Sequence, residues 1–316
     1  MLFFLLGSII AVAFLVVCYY CYTIAFYAPP RTGESISTDM TGPQYEKVSG
    51  KIRAAIDKMT ALPFEEMYVT SFDGLKLFGR YYHQRDHAPI MILFHGYRSF
   101  SARDCCGGLA LARKLGFNVL AVDQRAHGNS EGNTISFGIL ERRDCKTWAD
   151  TMVSRFGQNV PIVLSGLSMG AATVLMAADL NLPENVVAIL ADSPYSAPKA
   201  IISKVCKDMH LPTWLAWPFV RCAARIFGKF SIESVSAQDA VCHSSVPILI
   251  LHGEDDRFVP CSMSRDIFKN CPEHVTLRTF PDAGHGLCYV TDKERYERYI
   301  EDFLRSIPAL VPHLST

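Results

Sequence analysis

The chain has 316 residues, enough for one large domain with a sizeable buried core. Its 31 basic and 31 acidic residues cancel and no basic run appears, which argues against a nucleic-acid partner. The eleven cysteines are odd in number and lack paired CxxC spacing, so they read as free structural thiols rather than a disulfide framework or a metal site.

In chain order, the first segment is Met1–Ala28, which carries no charged side chain. A helix needs roughly 20 apolar residues to cross a bilayer, and this stretch supplies them. Tyr19, Tyr20, Tyr22 and Tyr27 fall where an interfacial aromatic belt would lie. A cleaved signal peptide is the competing reading. It fits less well, because a basic leading region and a small-x-small site after a short apolar core are both missing. Residues 1–28 are therefore expected to form a retained single-pass membrane anchor. Arg31 next to it favours a cytoplasmic C-terminal side, a side the sequence leaves open. Residues 29–65 read as a linker and leading helix, since Ala28–Pro43 is rich in Pro, Gly, Ser and Thr.

Glu65–Phe72 and Leu75–His83 alternate around Asp73-Gly74, the pattern of a hairpin. Short continuous apolar runs follow at Pro89–Phe94, Phe117–Val122, Pro161–Gly166, Val186–Ala191, Pro247–His252 and Val275–Phe280. They read as buried parallel strands. Helices are expected between them over Ser101–Leu115, Phe137–Phe156, Met169–Asp179 and Ser262–Lys269, with a last one over Asp292–Ser306. Alternating strands and helices predict an α/β fold with a mainly parallel sheet covered on both faces. From Ser196 to Val246 no strand pattern appears. Ile201, Ile202, Val205 and Met209 share one helical face there, and Thr213–Phe227 is dense in aromatics around Pro218. Residues 196–246 thus read as a helical cap over a core of 66–195 and 247–309.

The chemistry starts at Gly166-Leu167-Ser168-Met169-Gly170, between a predicted strand and a predicted helix. That context marks a nucleophile elbow: Ser168 sits on a sharp turn and small neighbours let strand and helix approach. A serine hydroxyl is a weak nucleophile and needs a base. His285, between Gly284 and Gly286 after the last strand, is the candidate. The base needs a carboxylate to fix its tautomer. Asp256 in "LHGEDDRFVP" is chosen over its rivals Asp255 and Asp192. The order Ser, acid, His matches one of the three known chain orders for such a triad. Oxyanion donors are expected from the backbone N–H groups of Tyr97, in "FHGYRSF", and Met169 at the helix start. Phe100, Tyr195, Trp214, Trp217 and Phe219, with the Tyr97 ring, are candidate walls of an apolar acyl pocket. "DQRAHGNSEG" (Asp123–Gly132) reads as a structural loop beside the site.

With these pieces in place, Glu66 to Ile307 resembles the alpha/beta-hydrolases of the esterase, lipase and serine-aminopeptidase-like group. The matching stretches are "FHGY", "DQRAHGNSEG", "GLSMGA", "LHGEDDRFVP" and "AGHG". The resemblance implies an eight-stranded sheet and cofactor-free acyl transfer to serine, followed by hydrolysis by water. One departure stands out: Ala126-His127 replaces the glycine usual in the Arg-Gly-x-Gly-type loop. The expected substrate is a small carboxylic ester with a short-to-medium acyl or aryl group. An amidase, aminopeptidase or thioesterase with the same triad is the alternative within enzymes, and a non-catalytic receptor on the same fold is the alternative outside them.

Overall fold

The computed structural model describes residues 1–29, 43–46 and 48–314, so most of the expected linker lies outside the described residues. The predicted hairpin is β1 (Glu65–Thr70) and β2 (Lys76–Tyr82), and Gly74 at φ 92° makes the turn between them. The remaining strands are β3 (Ile90–Phe94), β4 (Asn118–Asp123), β5 (Ile162–Leu167), β6 (Val186–Asp192), β7 (Ile248–Gly253) and β8 (Val275–Phe280). They form one eight-stranded sheet in the order β1-β2-β4-β3-β5-β6-β7-β8. The β1–β2 and β2–β4 pairs are antiparallel, and every later pair is parallel.

The helices, in chain order, are α1 (Leu2–Ala25), α2 (Pro43–Glu46), α3 (Ser49–Thr60), α4 (Ser101–Asp104), α5 (Cys106–Lys114), α6 (Glu141–Phe156) and α7 (Met169–Ala177). After β6 come α8 (Pro198–Asp208), α9 (Thr213–Ile226), α10 (Ala237–Ala240) and a short 3₁₀ turn, and then α11 (Ser262–Asn270), α12 (Cys288–Thr291) and α13 (Lys293–Arg305). Strand β3 shows why both sheet faces are covered. Ile90, Ile92 and Phe94 pack with Trp148 of α6 and the apolar residues of α7, while Met91 and Leu93 pack with α3, α5 and α13. All eleven cysteines are free thiols.

Two helices differ from the sequence reading. The segment Ser101–Leu115 breaks at Cys105 into α4 and α5, and Asp104 at the break accepts the Gly96 N–H through Oδ2 at 2.8 Å. The segment from Phe137 becomes helical only at Glu141, because Phe137 (φ 55°) and Gly138 (φ 86°) lie outside the helical region. The Glu141 carboxylate turns back to accept the N–H groups of Ser136 and Gly138 at 2.8 and 2.9 Å.

Helix α1 is long and apolar enough to cross a membrane. Of the tyrosines expected to form an interfacial belt, Tyr19 and Tyr20 are exposed and Tyr22 is not. Tyr22 is buried with Phe26 and Cys18 in the core, and its hydroxyl meets the Thr134 hydroxyl at 2.6 Å. Tyr19 packs edge-on against Phe227 with centroids 5.2 Å apart. The C-terminal half of α1 is thus docked on α9, and α9 continues as a helix through Pro218.

Candidate active site

Ser168 sits between the end of β5 and the start of α7, with φ 55° and ψ −114°, a strained conformation for a residue bearing a Cβ. The flanking glycines are required by contact. A Cβ on Gly166 would meet the Gly170 backbone at 2.2 Å, and one on Gly170 would meet the Phe94 carbonyl oxygen at 2.1 Å. Only glycine lets β5, α7 and the end of β3 come this close. The Ser168 side chain therefore emerges at the C-terminal edge of the parallel strands.

His285 lies between β8 and α12, and its Nε2 is 2.9 Å from Ser168 Oγ. Its Nδ1 is 2.6 Å from Asp256 Oδ2, so Nδ1–H donates to the carboxylate and Nε2 accepts from the hydroxyl. All three side chains are buried. The other Asp256 oxygen, Oδ1, accepts the backbone N–H groups of Phe258 and Val259 at 2.9 and 2.8 Å, which fixes the carboxylate plane. Asp255 is exposed to solvent. Asp192 is buried, and it accepts the Ser193 hydroxyl at 2.9 Å rather than the imidazole. The structure therefore brings Ser168, His285 and Asp256 together and leaves both rival carboxylates apart.

The sequence pattern that singles out Asp256 begins at His252, four residues earlier, but gives that histidine no role. It is fully buried; its Nε2 sits 3.2 Å from Asp256 Oδ2 and 2.9 Å from the Val259 carbonyl oxygen, while its Nδ1 meets the Ser264 hydroxyl at 2.6 Å. Burial alone would raise the Asp256 carboxyl, yet hydrogen bonds and charge from His252 and His285 hold it down to about 2. A depressed carboxyl stabilises the fold above its unfolded value of roughly 4, and that contribution is lost as pH falls through about 2. Urea midpoints measured between those pH values are expected to fall more steeply for the wild type than for Asp256→Asn. Equal slopes would show that the carboxylate is not stabilised in the fold.

The loop after β3 lies against the serine, since a Cβ on Gly96 would touch Ser168 Cβ at 3.4 Å. Among the described residues the Tyr97 N–H donates to no backbone or side-chain acceptor, and the Met169 N–H is in the first turn of α7, where helical partners are missing. Histidines hold this loop. His127 Nε2 accepts the Arg98 N–H at 3.0 Å, and His95 Nε2 accepts the Gln124 N–H at 2.9 Å. Burial pushes the His95 imidazole down, which suits this acceptor role at neutral pH.

The sequence profile of the serine aminopeptidase family S33 matches residues 85–244 and 220–293. The chain belongs to this family of alpha/beta-hydrolases. Two curated relatives are similar at 24 % identity: the uncharacterized protein YqkD of Bacillus subtilis, over 76 % of this chain and 81 % of that protein, and the bifunctional esterase/perhydrolase DCH of Acinetobacter calcoaceticus, over 76 % and 99 %. The fold is that of the Pyrococcus furiosus esterase Pf2001, with a TM-score of 0.66 at 20 % identity over 89 % of this chain and 98 % of that one. The protein is a hydrolase.

In this alpha/beta-hydrolase a cavity of about 510 Å³ opens at Ser168, a volume within the roughly 300–1,000 Å³ of small-molecule sites. Tyr97 and Tyr195 line it as expected, and among the described residues the Tyr195 hydroxyl has no hydrogen-bond partner. Phe100, Trp214, Trp217 and Phe219 do not line it. Phe100 is buried at the start of α4, Trp214 is exposed at the start of α9, Trp217 faces the Lys199 ammonium, and Phe219 packs on Phe14 of α1. The walls come instead from the Ile201, Ile202 and Val205 face of α8, from Phe137 and Phe258, and from α1. The Phe258 ring also stands 5.1 Å from the His285 ring.

The family departure at Ala126 has a simple structural outcome: Ala126 adopts φ 62°, a left-handed conformation that glycine reaches without a steric cost. A left-handed non-glycine residue costs roughly 1–2 kcal/mol, against about 0.4–1 kcal/mol for the greater unfolded freedom of glycine. Strain wins. Ala126→Gly is expected to raise unfolding stability by about 0.5–1 kcal/mol in urea titration, a balance of those two effects. A loss of stability would show that the alanine methyl contributes packing that outweighs its strain.

Proposed function

We propose that this hydrolase cleaves carboxylic esters, with Ser168 as nucleophile, His285 as general base and acid, and Asp256 holding the imidazole in its productive tautomer. The observation that carries the reading is the pair of contacts of 2.9 and 2.6 Å that link hydroxyl, imidazole and carboxylate in one line. Ser168 Oγ bonds to the ester carbonyl carbon while its proton passes to His285 Nε2. The carbonyl oxygen, now negative, is held by the Tyr97 and Met169 N–H groups, each such donor being worth roughly 10²–10³ in rate. The carbon–oxygen bond to the alcohol then breaks as His285 returns the proton to the leaving oxygen. Water repeats the sequence on the acyl-enzyme and releases the acid.

An ester is favoured over an aminopeptidase substrate by the cavity lining. Among the described residues it holds no carboxylate to bind a free α-amino group. The similar proteins named as esterases support the same choice. In this reading residues 196–246 are a cap over a core of 66–195 and 247–309, and α1 attaches the enzyme to a membrane. A fluorophosphonate probe should label the wild type and fail on Ser168→Ala. A folded wild-type protein that never labels would make the chain a non-catalytic binding protein. Faster turnover of aminoacyl anilides or acyl thioesters than of p-nitrophenyl esters would move it to another acyl class.

A further inference from the structure

Helix α1 does more than lead into the fold. Tyr20, Cys21, Ile24 and Ala25, on its last two turns, form one wall of the cavity at Ser168. Its end is tied to the loop that carries the proposed oxyanion donor. The Tyr97 hydroxyl donates to the Ala25 carbonyl at 2.8 Å, and Arg98 Nη2 donates to the Ile24 and Tyr27 carbonyls at 2.7 and 3.3 Å. A guanidinium at the C-terminal end of a helix is also favoured by the helix dipole. The Tyr97 backbone, whose N–H faces the reaction in the reading above, is therefore braced by α1.

The docked half of α1 runs alongside α9 in the same direction. Phe14 meets Phe219 at 5.1 Å, Tyr19 meets Phe227 at 5.2 Å, and Phe26 meets Phe230 just beyond α9 at 5.3 Å. Before Phe14, every described side chain of α1 is exposed. At 1.5 Å per residue this free stretch is roughly 18 Å long, shorter than the roughly 30 Å of bilayer hydrocarbon. No spacer separates the membrane-seeking half of the helix from the half that docks, so a bilayer entered by α1 lies against the start of α9. The surface there fits that position. Met209, Leu211, Trp214 and Leu215 are exposed around the α8–α9 turn, with Lys207, Asp208 and His210 beside them, an apolar tip with a polar edge. Met209 and Leu211 also line the cavity, which places its rim on this same tip. Arg98 is the one charged residue among the described lining residues, and its guanidinium is already turned to the α1 carbonyls.

From this geometry we infer that the substrate is a neutral, single-chain membrane lipid ester, whose acyl chain enters from the bilayer between α1 and the α8–α9 turn. The inference rests on the ester-hydrolase reading and extends it: the chain is longer than the short-to-medium acyl group expected from the sequence, because four of the aromatic side chains expected to close the pocket lie elsewhere. Ester cleavage then leaves a fatty acid and the headgroup alcohol.

The test uses the full chain in phosphatidylcholine vesicles. The wild type should hydrolyse p-nitrophenyl palmitate with a higher kcat/KM than the acetate, and should turn over a monoacylglycerol embedded in the vesicles. Cys21→Trp and Ile24→Trp, which fill the α1 side of the cavity, should shift the palmitate-to-acetate ratio toward acetate by about tenfold, the worth of roughly two displaced methylenes. Trp214→Glu with Leu215→Glu, at exposed positions outside the cavity, should lower turnover of the embedded monoacylglycerol relative to soluble acetate ester. This second pair keeps the inference testable if a filled cavity prevents folding. A wild type that labels with fluorophosphonate yet prefers acetate, with a ratio none of these variants moves, overturns the lipid route alone. A wild type that never labels overturns the hydrolase reading beneath it.

Discussion

Ser168→Ala is expected to lower kcat for p-nitrophenyl esters by about 10⁴–10⁶-fold, with KM changed far less, as for other acyl-transfer nucleophiles that act as a unit with their base. The magnitude follows from what remains. Without the hydroxyl no acyl-enzyme forms, and turnover falls to what the backbone donors and the cavity achieve with water. The paired variant Ser168→Gly should be equally inactive and also more stable, because it releases the strain of a non-glycine residue at φ 55°. That strain is worth of order 1–3 kcal/mol, offset in part by the unfolded freedom of glycine. An inactive but more stable glycine variant would show that the elbow holds the serine against the backbone's own preference. Ester turnover in Ser168→Ala within about tenfold of the wild type, a difference of only 1.4 kcal/mol in barrier height, would remove the serine from the reaction.

How much of the fold and site is legible in the sequence depends on the range of the interactions involved. The buried strands announce themselves as continuous apolar runs, and the elbow by glycines on both sides of Ser168, because strand burial and sharp turns leave local marks in sequence. Helix starts are less readable. At Phe137 the apolar spacing continues while two residues with positive φ and the back-turned Glu141 delay the helix. The walls of the cavity are legible only where they fall on an amphipathic face, as on α8. Helix α1 is apolar on every side, so the sequence carries no stripe to tell its docked face from its free one, and its contacts with Phe219 and Phe227 span some two hundred residues. The aromatic density of α9 reads as a pocket for the same reason. Composition marks that helix as apolar without saying that α1, and not a ligand, covers Phe219.

Asp256→Asn is expected to lower kcat by about 10⁴-fold while the triad geometry stays in place, since an amide of the same shape selects the wrong imidazole tautomer. The local hydrogen bonds decide which way that amide turns. Oδ1 of Asp256 accepts two backbone N–H groups, from Phe258 and Val259 at 2.9 and 2.8 Å. An asparagine has a single acceptor oxygen. Reversing it would leave the buried Val259 donor and the part-buried Phe258 donor unpaired, a cost greater than the one hydrogen bond to the imidazole could offset. The amide oxygen is therefore pinned toward the backbone and the NH₂ faces His285 Nδ1. Nδ1 must then accept, the proton moves to Nε2, and Nε2 loses the lone pair that takes the serine proton. The rival carboxylates make the result specific. Asp255→Asn changes an exposed side chain and should leave kcat within about twofold. Asp192→Asn alters a carboxylate that accepts from Ser193 rather than from the imidazole, so its effect should appear in unfolding stability before it appears in kcat. If Asp192→Asn abolished turnover and Asp256→Asn did not, the acid of the relay would lie at the end of β6, and the 2.6 Å contact to His285 would not be the one that works.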